Sequence, residues 1–379
     1  MMTAKIALLT GALCSGLAMN AYSQSNVTLY GLINSGLTYQ NNAKGSPLFK
    51  AQSGAWGGSR WGIQGSEDLG GGISSIFLLE NGFDAYSGTL GQNGRMFGRS
   101  AWVGIASPWG KVTAGRQYEE TTAFLGKISA SGLWAGYIGS HIGDVDNVGA
   151  TNRVDNTLRY ETPDLAGLRV SALYRVGGTP GNIGTNEIFG LGASYVRGGL
   201  QMAAAYENVH NPATSLYDGT VVTPTFVSPA SNPIFSGYES ASDMRVIGAG
   251  ATYQFGQLTV GAVYTNTQFR DVIRTASTPL AGSHTFQDVQ ANLAYRVSTS
   301  TLLGAAFDYL STSTAHYSQA MFGPHYTLSK RTELYAIGIY QRASGTNSVN
   351  KPAVASINTL TASSTPNQVA VNAGIIQRF

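Results

Sequence analysis

The segment Leu168-Arg169-Val170-Ser171-Ala172-Leu173-Tyr174 decides the fold. Leu168, Val170, Ala172 and Tyr174 fall on one side of it, and Arg169, Ser171 and Leu173 on the other, with Arg175 continuing the second set. A repeat of two is the period of a β-strand. The same spacing returns at Leu200, Met202, Ala204 and Tyr206, at Leu258, Val260, Ala262 and Tyr264, and at Leu303, Ala305, Phe307 and Tyr309. Three partner segments carry it too: Phe189, Leu191, Ala193 and Tyr195; Ile247, Ala249, Ala251 and Tyr253; Val289, Ala291, Leu293 and Tyr295. Between partners lie Arg197-Gly198-Gly199, Gly256-Gln257 and Ser298-Thr299-Ser300, tight links of the kind that close β-hairpins.

Working outward from these hairpins, the sequence predicts sixteen strands near 27–39, 59–67, 72–84, 99–106, 111–118, 152–161, 168–176, 187–197, 200–209, 243–255, 258–269, 287–297, 301–311, 321–328, 332–342 and 368–379. Short links such as Glu67-Asp68-Leu69-Gly70 and Ser107-Pro108-Trp109-Gly110 alternate with long polar ones. That alternation predicts an all-β fold: a transmembrane antiparallel β-barrel with short turns at one end and longer loops at the other. A soluble β-sandwich would favour bulky Ile, Leu and Val on its apolar face. Here Ala is frequent and Tyr or Phe recurs at strand ends, where a ring can sit in lipid with its hydroxyl wet. Closure follows, because an open sheet edge in hydrocarbon would leave backbone N–H and C=O groups unpaired at several kcal/mol each.

Composition excludes the competing classes. Of 379 residues, 11% are charged, about half the share of an ordinary soluble domain. The 20 Tyr and 14 Phe are too many for a disordered chain, and no apolar run beyond the N-terminus is long enough for a membrane helix. A net charge of +3, dispersed along the chain, leaves no nucleic-acid footprint. At the N-terminus, Lys5, the apolar stretch Ile6 to Leu17 and Ala21-Tyr22-Ser23 read as a cleaved signal peptide over 1–23. Residues 24–379 then form a single barrel domain. The lone Cys14 leaves with the leader, so no disulfide is expected in the exported chain.

Arginine placement tests the sidedness. Arg60, Arg99, Arg153, Arg159, Arg169, Arg175, Arg296 and Arg378 all fall opposite the lipid residues, and Glu80, Glu207 and Asp308 share that inner face. Charge there implies water inside, since a midplane Arg facing lipid costs about 2–4 kcal/mol and sixteen strands enclose an aqueous lumen. Arg116 breaks the parity of its strand.

Asn26-Val27-Thr28-Leu29-Tyr30-Gly31, the segment from Ser59 to Gly72, Gly98-Arg99-Ser100-Ala101-Trp102-Val103-Gly104, Gly115-Arg116-Gln117, Asn156-Thr157-Leu158-Arg159-Tyr160 and the terminal Phe379 together resemble the Gram-negative general porins of the beta-proteobacterial type. The resemblance runs over essentially the whole exported chain. It implies a homotrimer of sixteen-stranded barrels, each with its third loop folded into the lumen as a constriction. It also implies wall arginines facing acids or carbonyls on that loop. Arg60 matches the wall arginine of the second strand and Arg99 that of the fourth. The third sits on the sixth strand, where Arg153 and Arg159 both point inward and the choice stays open. The third loop should span about Tyr118 to Thr151 and carries Glu119, Glu120, Asp144 and Asp146 as constriction acids, or as plain solvated loop charges, together with Lys127, Phe124, Leu133, Trp134 and Tyr137. Phe379 resembles the family's signal for the barrel-assembly machinery.

The expected function is passive diffusion of small hydrophilic solutes and ions across the outer membrane, with a weak preference for anions; the alternative is a substrate-specific channel with a dedicated binding constriction. No enzyme is expected, because the five His form no Ser-His-acid grouping on one rim. No metal-ligand spacing, phosphate loop or other cofactor motif is present. The polar stretches near 210–242 and 344–367 read as surface loops.

Overall fold

In the computed structural model, which describes residues 26–379, the chain is one closed antiparallel sheet. The expected leader, 1–23, lies outside the described residues. The strands are β1 (Asn26–Ala43), β2 (Ser46–Ser53), β3 (Arg60–Gly70), β4 (Ile73–Gly82), β5 (Ser100–Ser107), β6 (Gly110–Gln117), β7 (Val154–Glu161), β8 (Leu168–Arg175) and β9 (Ile188–Arg197). They continue with β10 (Leu200–His210), β11 (Asp243–Phe255), β12 (Leu258–Val272), β13 (Gly282–Arg296), β14 (Thr301–Ser311), β15 (Ala315–Thr327), β16 (Thr332–Gly345) and β17 (Asn367–Arg378). Each pairs with its neighbour in sequence, β2 with β3 excepted, and β17 returns to β1 with Leu32 opposite Arg378 and Gln40 opposite Ala370. Seventeen segments make sixteen staves, because β2 and β3 both pair with β1, Ser35–Ala43 against β2 and Asn26–Leu32 against β3.

That split stave is the main departure from the sequence-based expectation, in which residues 40–58 were loop. Instead Lys44 and Gly45, both with positive φ, turn β1 directly into β2. Of the β2 residues only Phe49 is a large apolar group projecting outward, 67% exposed, so the segment shows little amphipathic period. The interruption at 54–59 bends into the barrel.

Sidedness follows the alternation. Val103, Ile105, Leu158, Tyr160, Phe189, Leu191, Tyr264, Val289, Phe307, Tyr309, Phe322, Tyr340 and Val371 are exposed on the outer wall, where lipid would meet them. The inward neighbours are covered by loops folded inside. Arg116 joins the inner face through a β-bulge: the register of β6 against β7 slips between Gly115 and Gln117, and Gly115 takes φ +140°. A Cβ on Gly115 would lie 2.1 Å from the Ala101 carbonyl, so glycine is required there.

Three loops fold inward. The longest, 118–153, carries short helical turns at Thr121–Leu125, Ser131–Ala135, Tyr137–Gly139 and Ile142–Asp144. Residues 211–242 and 346–366, expected as surface loops, also turn into the mouth. Ile234, Phe235 and Tyr238 form one buried cluster with Ile142 of the 118–153 loop and with the inward-facing Phe269, Phe286, Leu310 and Tyr317. Ile357 is buried in a second cluster with Trp134 and Ile138, and the Asn358 amide donates to the Tyr137 carbonyl at 3.0 Å. These buried apolar patches are why stretches that read as polar on average do not stay outside.

Candidate functional site

The loop 118–153 crosses the lumen because both of its faces find partners. Phe124, Leu125 and Ile128 pack on Ala203, Ala205 and Val263 of the wall. Trp134 and Ile138 pack on Ile337, Ile339 and Ala370 on the far side. At its tip the Tyr137 and Ile138 amides donate to the Trp56 and Ala55 carbonyls at 3.0 and 2.9 Å, and the Trp56 indole N–H donates to the Trp134 carbonyl at 2.8 Å. The break in the second stave is thus a docking rung. Asn34 on β1 holds it in place, its Oδ1 accepting from the Trp56 and Gly57 amides at 3.0 and 3.3 Å.

Against this loop stands a chain of arginines. Arg99 donates through Nε to Glu80 Oε1 at 2.7 Å and through Nη2 to the hydroxyls of Tyr118 (2.9 Å) and Tyr137 (3.3 Å). Arg153 donates to the same Tyr118 hydroxyl at 2.7 Å and to the Thr151 carbonyl at 2.8 Å, with its guanidinium 4.8 Å from the Tyr118 ring centre. Arg60 lies 3.5 Å from Glu80 Oε2, and Glu80 also accepts from the Tyr30 hydroxyl at 2.8 Å. Arg60, Glu80, Arg99, Tyr118 and Arg153 therefore form one connected strip. A cavity of about 310 Å³ opens beside it, lined by Arg99, Arg153, Tyr137, Gln92 and Thr359 among others.

The structure separates the two sixth-strand candidates. Arg153 stands one residue before β7, at the end of the loop rather than on the strand, and is in the strip, whereas Arg159, on β7, pairs with Glu120 at 2.9 Å and with Ser171 at 2.9 Å on the other face of the loop. There it lines a cavity of about 290 Å³ with Phe124, Lys127, Glu161 and Arg169. Arg175 is buried and bonds the Asn186 carbonyl, and Arg296 is exposed at a strand end. Arg116, the residue that breaks the parity of its strand, pairs with Asp155 at 2.6 Å and donates to the Gly98 carbonyl at 2.8 Å.

The loop acids are buried and bonded within the fold rather than solvated. Glu119 accepts from Thr122 Oγ1 at 2.5 Å and from the Asn147 amide at 2.7 Å. Asp144 accepts from the Gly149 amide at 2.6 Å and from Thr151 through both N–H (3.1 Å) and Oγ1 (2.6 Å). Asp146 meets His141 Nδ1 at 2.6 Å and the Thr265 hydroxyl at 2.5 Å. Glu207 and Asp308 are on the inner face but lie under the loop, accepting from the Glu120 and Ile142 amides, so their charge does not report bulk water. Burial pushes Glu119 up to about 7 against its hydrogen bonds, and burial beside Asp146 pushes Asp144 up to about 6. Burial would raise Tyr137 as well, but Arg99, Arg153 and Arg60 outweigh it and hold the phenol down to about 7.

The terminal residue closes the barrel. Gly31 and Phe379 exchange backbone bonds of 3.0 and 3.1 Å, and the Phe379 ring lies across Gly31, where a Cβ would be 2.3 Å from it.

Comparison with known proteins agrees with this architecture. Residues 7–346 match the family described as Gram-negative porin. An outer membrane porin protein of Bordetella pertussis is 30% identical over 388 residues, covering 89% of this chain and 94% of that protein. Outer membrane porin protein 32 of Delftia acidovorans is 30% identical over 339 residues, covering 85% and 84%. Among solved structures, the anion-selective porin from Comamonas acidovorans superposes with a TM-score of 0.73 at 20% identity, over 94% of this chain and all of that one. The chain belongs to the Gram-negative porins, outer-membrane channels that let small hydrophilic solutes and ions diffuse passively.

Proposed function

We propose that this porin is a weakly anion-preferring diffusion channel filtered by Arg60, Arg99 and Arg153 against the loop 118–153. The observation that carries the reading is the charge of the arginine strip: Arg60 and Arg99 pair with one carboxylate, Glu80, and Arg153 joins them through Tyr118, for a formal balance of 3 − 1 = +2 while Tyr137 is un-ionised. An anion about 5 Å from one unbalanced charge in watery surroundings gains roughly 0.8 kcal/mol, so two such charges favour anions by a factor on the order of ten. With a Debye length of about 8–10 Å at ordinary ionic strength, the preference fades as salt rises. The Comamonas neighbour, described as anion-selective, points the same way.

Glu120 and Arg159 neutralise one another below the loop and shape the exit rather than the filter. The barrel is proposed to assemble as a homotrimer. A shallow apolar groove on its outer wall, lined by Ala320, Phe322, Gly338 and Val371, suits close contact with another copy. Phe379, at the seam and 46% exposed, is placed to be read by the barrel-assembly machinery before closure.

The test is the zero-current potential across a planar bilayer under a KCl gradient. An anion-selective sign at about 0.1 M salt that shrinks toward zero at 1 M is the expected outcome; a cation-selective sign at low salt contradicts the reading.

A further inference from the structure

We propose that a divalent transition-metal ion of the zinc class binds between His141, Asp288 and Asp308 and fastens the 118–153 loop to the barrel wall. His141 belongs to the loop, Asp288 to β13 and Asp308 to β14. One donor atom from each lies within 4.8 Å of the others, and all three residues are buried. Acidic residues in proximity do not make a site, but here a buried imidazole nitrogen is left without a partner: His141 Nε2, in a residue 1% exposed, makes no hydrogen bond. Asp288 and Asp308, 3% and 0% exposed, bond each other, which two carboxyls do only by sharing a proton that a cation can replace. Buried polar atoms are almost always satisfied, and an open nitrogen beside such a pair points to a missing partner.

The remaining atoms are already committed in the way a ligand set requires. Asp146 holds His141 Nδ1 at 2.6 Å and is itself fixed by the Thr265 hydroxyl. A carboxylate on one ring nitrogen sets the tautomer that leaves the other nitrogen's lone pair free for a metal. Asp308 Oδ2 accepts from the Ile142 amide at 3.1 Å, which fixes the carboxyl against the loop. Charge argues in the same direction. Three carboxylates, Asp146, Asp288 and Asp308, converge here, and among the described residues the only side chain that ion-pairs with Asp146 or Asp288 is His141. A divalent ion supplies the positive charge the wall does not.

One imidazole with carboxylate oxygens suits Zn²⁺ better than Mg²⁺ or Ca²⁺, which prefer oxygen alone, and the site has no thiolate to select copper(I). Bonds of about 2.0–2.1 Å place donors about 3.4 Å apart, so the carboxylates swing inward on binding. The sequence showed no ligand spacing because loop, β13 and β14 contribute one residue each.

The experiment is equilibrium dialysis of the folded porin in detergent against Zn²⁺, with folding checked by heat-modifiable electrophoretic mobility. One ion per chain is expected, with affinity reduced at least tenfold in His141→Gln and in Asp288→Asn. His210→Gln serves as the control for the exposed cluster of His210 with Glu187 and Asp243, and should bind as the parent does. Binding lost in His210→Gln but kept in His141→Gln, or no stoichiometric binding to the parent, overturns the proposal. X-ray absorption at the zinc edge on the unmutated protein gives an answer independent of variant folding: one imidazole among oxygen ligands supports the site, and two or more imidazoles, or none, contradict it.

Discussion

In the proposed filter, selectivity turns on Arg99. It is 4% exposed, anchored to Glu80, and bonded to both tyrosines of the loop, so its charge is fixed in direction as well as position. Removing it as Arg99→Ala takes the strip from +2 to +1, so anion enrichment there should fall by about fourfold and the anion-to-cation permeability ratio by at least that much, read as a shift in zero-current potential. Arg153→Ala should do the same, while Arg159→Ala, on the far side of the loop, should change the ratio far less; equal effects in all three would disprove the assignment of the strip. The loop acids add a pH dependence. Glu119 and Asp144 bind protons at about 7 and about 6, and Tyr137 ionises at about 7. All three are neutral at pH 5 and negative at pH 8, so anion preference should rise as pH falls across that interval. A flat or opposite profile in the same bilayer measurement would contradict these values. Much of this residue-level picture was legible in the sequence: parity put Arg60, Arg99 and Arg153 on the inner face. Arg116 showed only as a break in that parity, which a bulge at Gly115 explains but which alternation alone does not turn inward. The pairing of Arg159 with Glu120 depends on how the loop folds back, which spacing alone does not encode.

The loop 118–153 and the broken second stave work as one element. Gly136 makes the junction possible: its φ is +62°, and a Cβ there would lie 2.2 Å from the Trp56 carbonyl. Gly136→Ala should therefore push the loop tip off its rung, costing the Tyr137 and Ile138 amide bonds while leaving the barrel closed. The expected readout is increased open-channel current noise and a larger cutoff for neutral polymers, with heat-modifiable mobility retained; unchanged noise and cutoff would show that the rung does not hold the loop. The loop's position and length were evident from the long gap between two strands. The rung was not, because Gly54-Ala55-Trp56-Gly57-Gly58-Ser59 reads as ordinary loop and Ser46–Ser53 has too few outward apolar residues to show a strand's period.

At the scale of the whole molecule, closure in lipid and occlusion from within are solved by different residues. The outer wall is made of small and aromatic side chains at alternate positions, and their period is strong enough to fix most staves to within about three residues, although β13 and β15 begin at Gly282 and Ala315, well before the expected 287 and 321. The inside is filled by three loops whose apolar anchors, Ile234, Tyr238 and Ile357 among them, are sparse along the chain and meet only after folding. Their mean polarity masks this, which is why 211–242 and 346–366 looked external. Conduction requires a water-filled path past the arginine strip. Single-channel recording of the refolded protein in planar bilayers tests that path directly: discrete ohmic steps whose size grows with KCl concentration are predicted, whereas a correctly folded barrel that passes no current would contradict it.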